Sequence, residues 1–300
     1  MLRTLVINAD DLGLTVGVNT GIFDAHEQGM LTSASLMANA PATVDAIRRV
    51  RSRPSLGIGV HLTLVDGVPT LPPSRVPTLV DDDGRFRASW RPFIVDCLMR
   101  RVALDDVERE LTAQIDRLRS EGIRLTHLDA HKHVHAYPPV FEVVARLAHR
   151  FRIPVVRVPY EQGPAVRPSD WQQATVRRQS LANAAMWLWA QRDLRIAAVH
   201  GLRTPQFTGR RYTGVLDLDA LISSIRHLRP GATELMVHPG YVDDALRHMS
   251  TRLQSSRLVE LELLRSSTAA QELMSQGIRL ARHDHVPVDR PEIRSLRDAS

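Results

Sequence analysis

Three short stretches of this chain bring acid and imidazole groups close enough in sequence to act together. The first is Asn8-Ala9-Asp10-Asp11-Leu12-Gly13. Adjacent side chains at a strand end point in different directions, so one carboxylate of an Asp-Asp pair can bind a metal while the other takes a proton. A solvated turn or a helix N-cap is the bland alternative, and the apolar run before the pair weakens it. The second stretch is Gly57-Ile58-Gly59-Val60-His61-Leu62, where glycines allow close backbone approach and His61 supplies an imidazole, the commonest metal ligand. The third is His127-Leu128-Asp129-Ala130-His131-Lys132-His133-Val134-His135. Its histidines fall at alternate positions, interrupted only by Asp129, and would share one face if a strand continued through them.

One Asp and two His can hold a divalent ion with a coordination position left for water, as metal-dependent hydrolases require. The same ingredients permit a second chemistry. His127-Leu128-Asp129 with a distant His238 matches the two-His, one-carboxylate site of non-haem iron oxygenases. That triad is expected on an all-β jelly roll, whereas this chain alternates β and α, so hydrolysis ranks first. Spacing alone does not say which histidine binds.

The elements that must position these groups follow from periodicity. Apolar runs at 2–8, 31–37, 57–62, 125–129, 155–158, 197–200, 234–237 and 278–280 read as strands. Helical patterns lie between them at 16–28, 42–51, 104–121, 140–150, 217–228 and 255–276, with Gly29 as a C-terminal cap for the first. Seven or eight β/α units predict an α/β fold, a distorted or incomplete TIM-like barrel, with a doubly wound open sheet as the alternative. Residues 1–300 read as a single domain with a Gly- and Pro-punctuated surface insertion at 66–92. In such folds the loops after the strands' C-terminal ends build the site, and all three stretches fall there.

Composition narrows the partners. With 43% hydrophobic and 24% charged residues the chain can bury a large core. No apolar stretch approaches the ~18 residues of a membrane span, and the N-terminal apolar run is too short for a secretory signal, which points to a cytoplasmic protein. The single cysteine, Cys97, excludes a multi-cysteine zinc module, so any metal must use His and carboxylates. The net charge of +6 comes almost wholly from arginine, since Lys132 is the only lysine. The arginines are dispersed, which argues against nucleic acid, while peripheral contact with a membrane surface stays open. Trp187 and Trp189, with Met186 and Leu188, form either a lipid-facing patch or a core helix. Oligomeric state is not legible.

Taken together, Asn8 to Leu14, Thr32-Ser33-Ala34-Ser35-Leu36-Met37, Gly59-Val60-His61-Leu62 and the run from Asp129 to His135 resemble the YdjC-like carbohydrate deacetylases. Further stretches, including Val65-Asp66-Gly67-Val68-Pro69, 79–86 and Val156-Arg157-Val158-Pro159-Tyr160-Glu161, are similar to the HpnK-type deacetylases of hopanoid biosynthesis. The likeness is dense from residue 2 to about 161 and then reduces to points such as Val237-His238-Pro239-Gly240-Tyr241. The resemblance implies a distorted barrel and a divalent-metal N-deacetylase acting on an N-acetylated amino sugar, lipid-linked in the HpnK case. It implies Asp11, His61 and His131 as ligands of one divalent ion, Mg²⁺ or Zn²⁺, Asp10 as general base and His238 as acid. Arg157 would hold substrate or stabilise charge, and His133 and His135 would orient ligands or touch the sugar. A deacetylase of soluble chito-oligosaccharides and a sugar-binding protein without catalysis are the other readings.

Overall fold

Apolar runs that are covered on both faces become strands of one parallel sheet, because only a fully buried strand can be apolar at consecutive positions. The computed structural model describes residues 2–161 and 168–286. Its strands are β1 (Arg3–Leu12), β2 (Ser33–Leu36), β3 (Gly57–Leu62), β4 (Leu125–Ala130), β5 (Val155–Val156), β6 (Gln206–Thr208), β7 (Gly231–Val237) and β8 (Arg279–Leu280). Seven run in the order β5-β4-β3-β2-β1-β7-β6, and β8 pairs with the first residues of β1. Beyond Asn8, β2 takes that edge over.

The two ends of this sheet meet. Isolated parallel bridges join Val155 to Arg203 and Glu161 to Phe207, and the Val156 and Arg203 amides donate to the Arg203 and Pro154 carbonyls at 3.1 and 3.0 Å. The result is the expected distorted barrel, with its thinnest seam between β5 and β6.

Helices α1 (Val16–Glu27), α2 (Thr43–Val50), α3 (Trp90–Leu98), α4 (Leu104–Ser120), α5 (Pro138–Phe151), α6 (Ala174–Ala185), α7 (Trp187–Val199), α8 (Leu218–Arg226), α9 (Asp244–Arg247), α10 (Ser255–Leu264) and α11 (Ser267–Ser275) accompany it. Several sequence expectations need correction. The strand expected at 197–200 is the end of α7, whose buried residues Ala190, Asp193 and Ala197 recur at helical spacing. The strand of that region is instead β6. The single helix expected over 255–276 breaks after Leu264, because the Ser266 side chain accepts from the Ala269 amide and starts α11. Gly29 is not a left-handed cap. A Cβ there would lie 2.4 Å from the Leu264 carbonyl, so its role is the close approach of α1 to α10. The 66–92 segment is not merely superficial either: Val76, Leu79 and Phe86 are buried in the main core.

Candidate metal centre and active site

A regular strand would send Asp10 and Asp11 to opposite faces. β1 does not stay regular. Its register with β2 shifts between Ala9 and Leu12, and Asp11 takes a left-handed φ of 68°. The bulge turns both carboxylates into one buried pocket, so the divergence expected from the sequence is replaced by convergence. Such a conformation is costly for a residue other than glycine and persists only where its surroundings enforce it.

Asp11 meets the first two histidines. Its Oδ1 lies 3.1 Å from His131 Nδ1 and 3.4 Å from His61 Nε2. Its Oδ2 accepts from Arg257 Nη2 at 2.6 Å. His61 is fixed from behind by Asp129, whose Oδ1 is 2.8 Å from Nδ1. This leaves Nε2 facing Asp11, buried and without a hydrogen-bond partner. A carboxylate behind the second nitrogen is the usual way a ligating imidazole is held in orientation. The ligand atoms of Asp11, His61 and His131 lie within 4.8 Å of one another, and so do those of Asp10, His61 and Asp129. Ligands of one tetrahedral ion, each about 2.0–2.2 Å from it, would be separated by little more than 3 Å, which the 3.1 and 3.4 Å from Asp11 Oδ1 to His131 Nδ1 and His61 Nε2 match.

Asp10 is held by a fork. Arg157 Nη1 and Nη2 donate to its Oδ2 and Oδ1 at 2.8 and 2.7 Å, and Asn8 Nδ2 donates to Oδ1 at 3.0 Å. The same guanidinium reaches Asp129 at 2.7 Å and Glu234 at 2.5 Å. Fully buried and committed to three carboxylates, Arg157 has no face for substrate. Of the two roles expected for it, holding substrate does not fit this position; what the fork does instead is balance the charge of Asp10 and fix its orientation.

Charge balance bears on whether this pocket suits a cation. Four buried carboxylates, Asp10, Asp11, Asp129 and Glu234, face two buried guanidiniums, Arg157 and Arg257. With Glu260, whose carboxyl burial pushes up to about 7, left aside and His61 taken as neutral, two negative charges remain, which a divalent cation would offset. The titration of His61 reports the same imbalance. Burial alone would lower its pKa, yet Asp129 and Asp10 pull it up to about 10. Burial would raise the Asp10 pKa, but Arg157 chiefly, with His61 and His238, brings it down to about 2.

The histidine run does not continue as a strand. β4 stops at Ala130, and His131–Ala136 forms tight 3-10 turns in which Lys132 and His133 have left-handed φ of 53° and 55°. The shared face expected for these histidines is therefore broken, and each has a separate setting. His127 stays in the strand and points inward, its ring stacked on His283 at 3.7 Å and its Nε2 3.0 Å from Ser35 Oγ. Gly59 makes room for it, since a Cβ there would lie 2.4 Å from His127 Nε2. His133 rests edge-on against Phe207. His135 is fully buried with Nε2 on the Arg157 carbonyl at 2.9 Å, which anchors the turn and excludes sugar contact. Lys132 pairs with Asp66 at 2.5 Å, and Asp66 lies 3.6 Å from His131 Nε2, so the neck of the 66–92 segment borders the site.

His238 follows β7 and is 7% exposed. Its amide donates to Glu260 Oε2 at 2.5 Å, and its Nδ1 lies 4.0 Å from the same carboxylate. Burial holds its pKa down at about 4 against the pull of Asp10 and Asp11. Arg257 and Glu260 were missed from sequence, although a signal existed. With Leu261 and Leu264 they occupy the buried face of α10 at helical spacing, and charges on a core-facing stripe must serve a polar cavity. Asp129 and Glu234 gave a similar signal as acids within buried strands.

The YdjC-like protein family matches residues 4–275. The chain belongs to that family. It is 36% identical to a carbohydrate deacetylase of Geobacillus stearothermophilus over 93% of this chain and 96% of that protein. It is 33% identical to a carbohydrate deacetylase of Brevibacillus brevis over 92% and 96%. Among solved structures, one from Enterococcus faecalis assigned by name to cellobiose-phosphate cleavage superposes with a TM-score of 0.76. That structure is 27% identical, with 95% of this chain and 98% of that chain covered. Among the described residues, no helix is long and apolar enough to cross a membrane.

Proposed function

We propose that this YdjC-family chain removes the acetyl group from an N-acetylated amino sugar carried on a hopanoid-type lipid, with one divalent cation held by Asp11, His61 and His131. The broader statement, a carbohydrate deacetylase, rests on the family and on relatives of that name aligned over nearly their whole length. The observation that carries the metal reading is the two-charge deficit around the orphaned His61 Nε2. Two imidazoles with one carboxylate favour Zn²⁺ or another transition ion over Mg²⁺, which prefers oxygen ligands. A cation bound there supplies an acidified water and polarises the acetamide carbonyl.

The remaining work falls to the chain's own side chains. Asp10 is ionised at any working pH, and the Arg157 fork fixes the direction in which its carboxylate accepts a proton. So weak a base suits a proton whose acidity has already been raised. His238 serves as the acid for the leaving amine. Glu260, 4.0 Å from Nδ1, leaves Nε2 as the nitrogen that donates, and burial keeps the resting imidazole neutral, so the proton it passes on must reach it during the reaction. The lipid-linked acceptor is supported by the motif likeness over residues 2–161 and not by the metal geometry.

Acetate release tests this. Wild type is stripped with a chelator, resupplied with single metals and offered an N-acetylglucosaminyl hopanoid or a short chito-oligosaccharide. Metal-dependent release from the hopanoid is expected. Release from the oligosaccharide alone would retain the chemistry and discard the lipid, and no release from either would discard deacetylation.

A further inference from the structure

Helices α3 and α7 pack on the turn that carries His131, α6 packs on α7, and all three leave apolar side chains outside the core. On α3, Trp90 and Leu98 are 45% and 61% exposed, and Met99 just beyond is 60% exposed. On α6 and α7, Leu181, Trp187 and Leu188 are 71%, 49% and 70% exposed. The inner faces of these helices are already used: Phe93, Ile94 and Cys97 are buried on α3, as are Ala190, Asp193 and Ala197 on α7. Trp189, read from sequence as part of the same patch, turns inward instead and packs on the core.

Tyr137, at the end of the turn, joins the two regions. Its ring meets Trp189 edge-on at 5.5 Å, and the charges of Arg100 after α3 and Arg192 of α7 both act on its phenol. Both α3 and α7 pack on the turn itself. The same helices, with the residue after Met99, also carry exposed Arg91, Arg100, Arg178 and Arg192. Acids offset little of this charge. Asp96 of α3 is taken by Arg87 and Arg101, α6 has no acid, and the one acid of α7, Asp193, is buried.

We infer that this face docks on an anionic phospholipid bilayer, placing the mouth of the metal site at the headgroups. Tryptophan and leucine would enter the interface while arginine meets phosphate, the combination by which proteins that do not span a membrane bind its surface. A second copy of the chain is a poorer occupant. A two-fold dimer sets a patch against itself and would bring these arginines together. The inference deepens the lipid-linked reading, but its readout is binding alone, so either can fail without the other.

The test is flotation of the full chain with vesicles of equal parts phosphatidylcholine and phosphatidylglycerol, beside vesicles of phosphatidylcholine only. Wild type is expected to float with the anionic vesicles and to be released by high salt. The Trp187→Ser, Leu188→Ser double variant should bind about tenfold more weakly or less, and Arg100→Glu, Arg178→Glu should lose the preference for anionic lipid. Unchanged acetate release from whichever acetylated substrate wild type cleaves, presented free of vesicles, and an unchanged thermal midpoint show that these variants are folded. The inference is overturned if wild type floats with neither vesicle, if both double variants float as wild type does, or if wild type is a dimer that Trp187→Ser, Leu188→Ser converts to monomer.

Discussion

The two sides of this barrel are built differently. From β1 to β4 the strands are four to ten residues long, pair in parallel ladders whose register shifts between Ala9 and Leu12 and between Ile58 and Val60, and carry Asp10, Asp11, His61 and Asp129. Across the seam, β5 and β6 have two and three residues and meet only through isolated bridges. On the first side backbone ladders hold the sheet and leave side chains free for chemistry. On the second, side chains close the sheet: Glu161 exchanges both backbone groups with the Asn183 side chain and accepts from Thr208 and Arg211. A rigid ladder can support a strained residue such as Asp11, whereas a seam held by single contacts cannot.

If this division is right, changes on the two sides should separate activity from stability, with Arg157 as the exception because it ties them together. Arg157 follows β5 yet reaches Asp10 of β1 across the barrel, besides Asp129 on the neighbouring strand β4. Arg157→Met leaves three buried carboxylates without their cation. It should cost about 3–5 kcal/mol in chemical denaturation and abolish turnover together. An active, stable variant would mean that the buried network is not what joins the halves.

Asn183→Ala should act on the seam alone. It removes two hydrogen bonds to the Glu161 backbone and leaves those groups buried, at a cost of about 1–3 kcal/mol. Turnover per folded molecule should not change. A matching loss of turnover at full stability would erase the distinction between the sides.

Asp193 gives an effect confined to part of the pH range. Burial, opposed only by Arg192, raises its pKa to about 8, and neither carboxyl oxygen has a partner. A folded-state pKa above the unfolded value of 3.8 means that its contribution is fully present below about pH 4 and is lost as pH rises through about 8. Asp193→Asn should therefore raise the thermal midpoint at pH 8, with the gain shrinking to nothing near pH 4. A pH-independent difference would indicate a packing effect instead.

The same contrast explains what could be read from the sequence. Strands β3 and β4 were legible because their aliphatic residues recur over six positions and they end at recognisable groups, and Asp10, Asp11, His61 and His131 stood out by residue type and position. β6 was not, since three residues carry no period, and the apolar end of α7 mimicked a strand instead. The bulge at Asp11 and the left-handed turn at Lys132 and His133 were invisible for another reason. These conformations are imposed by the pocket around them and not preferred by the residues themselves. Arg257 and Glu260 carried a local signal as charges on the core-facing stripe of α10, but they lie more than 200 positions from Asp11 and nothing local ties the two together.

The central claim is that Asp11 holds the cation while its neighbour Asp10 does not. Measuring bound metal and turnover together in wild type, Asp10→Asn and Asp11→Asn tests it most directly. Wild type should carry one ion per chain. Asp10→Asn should keep that ion while losing about 10²–10⁴-fold in turnover, and Asp11→Asn should lose both. Loss of the ion from Asp10→Asn, or its retention in Asp11→Asn, would contradict the account and move the site toward Asp10, His61 and Asp129.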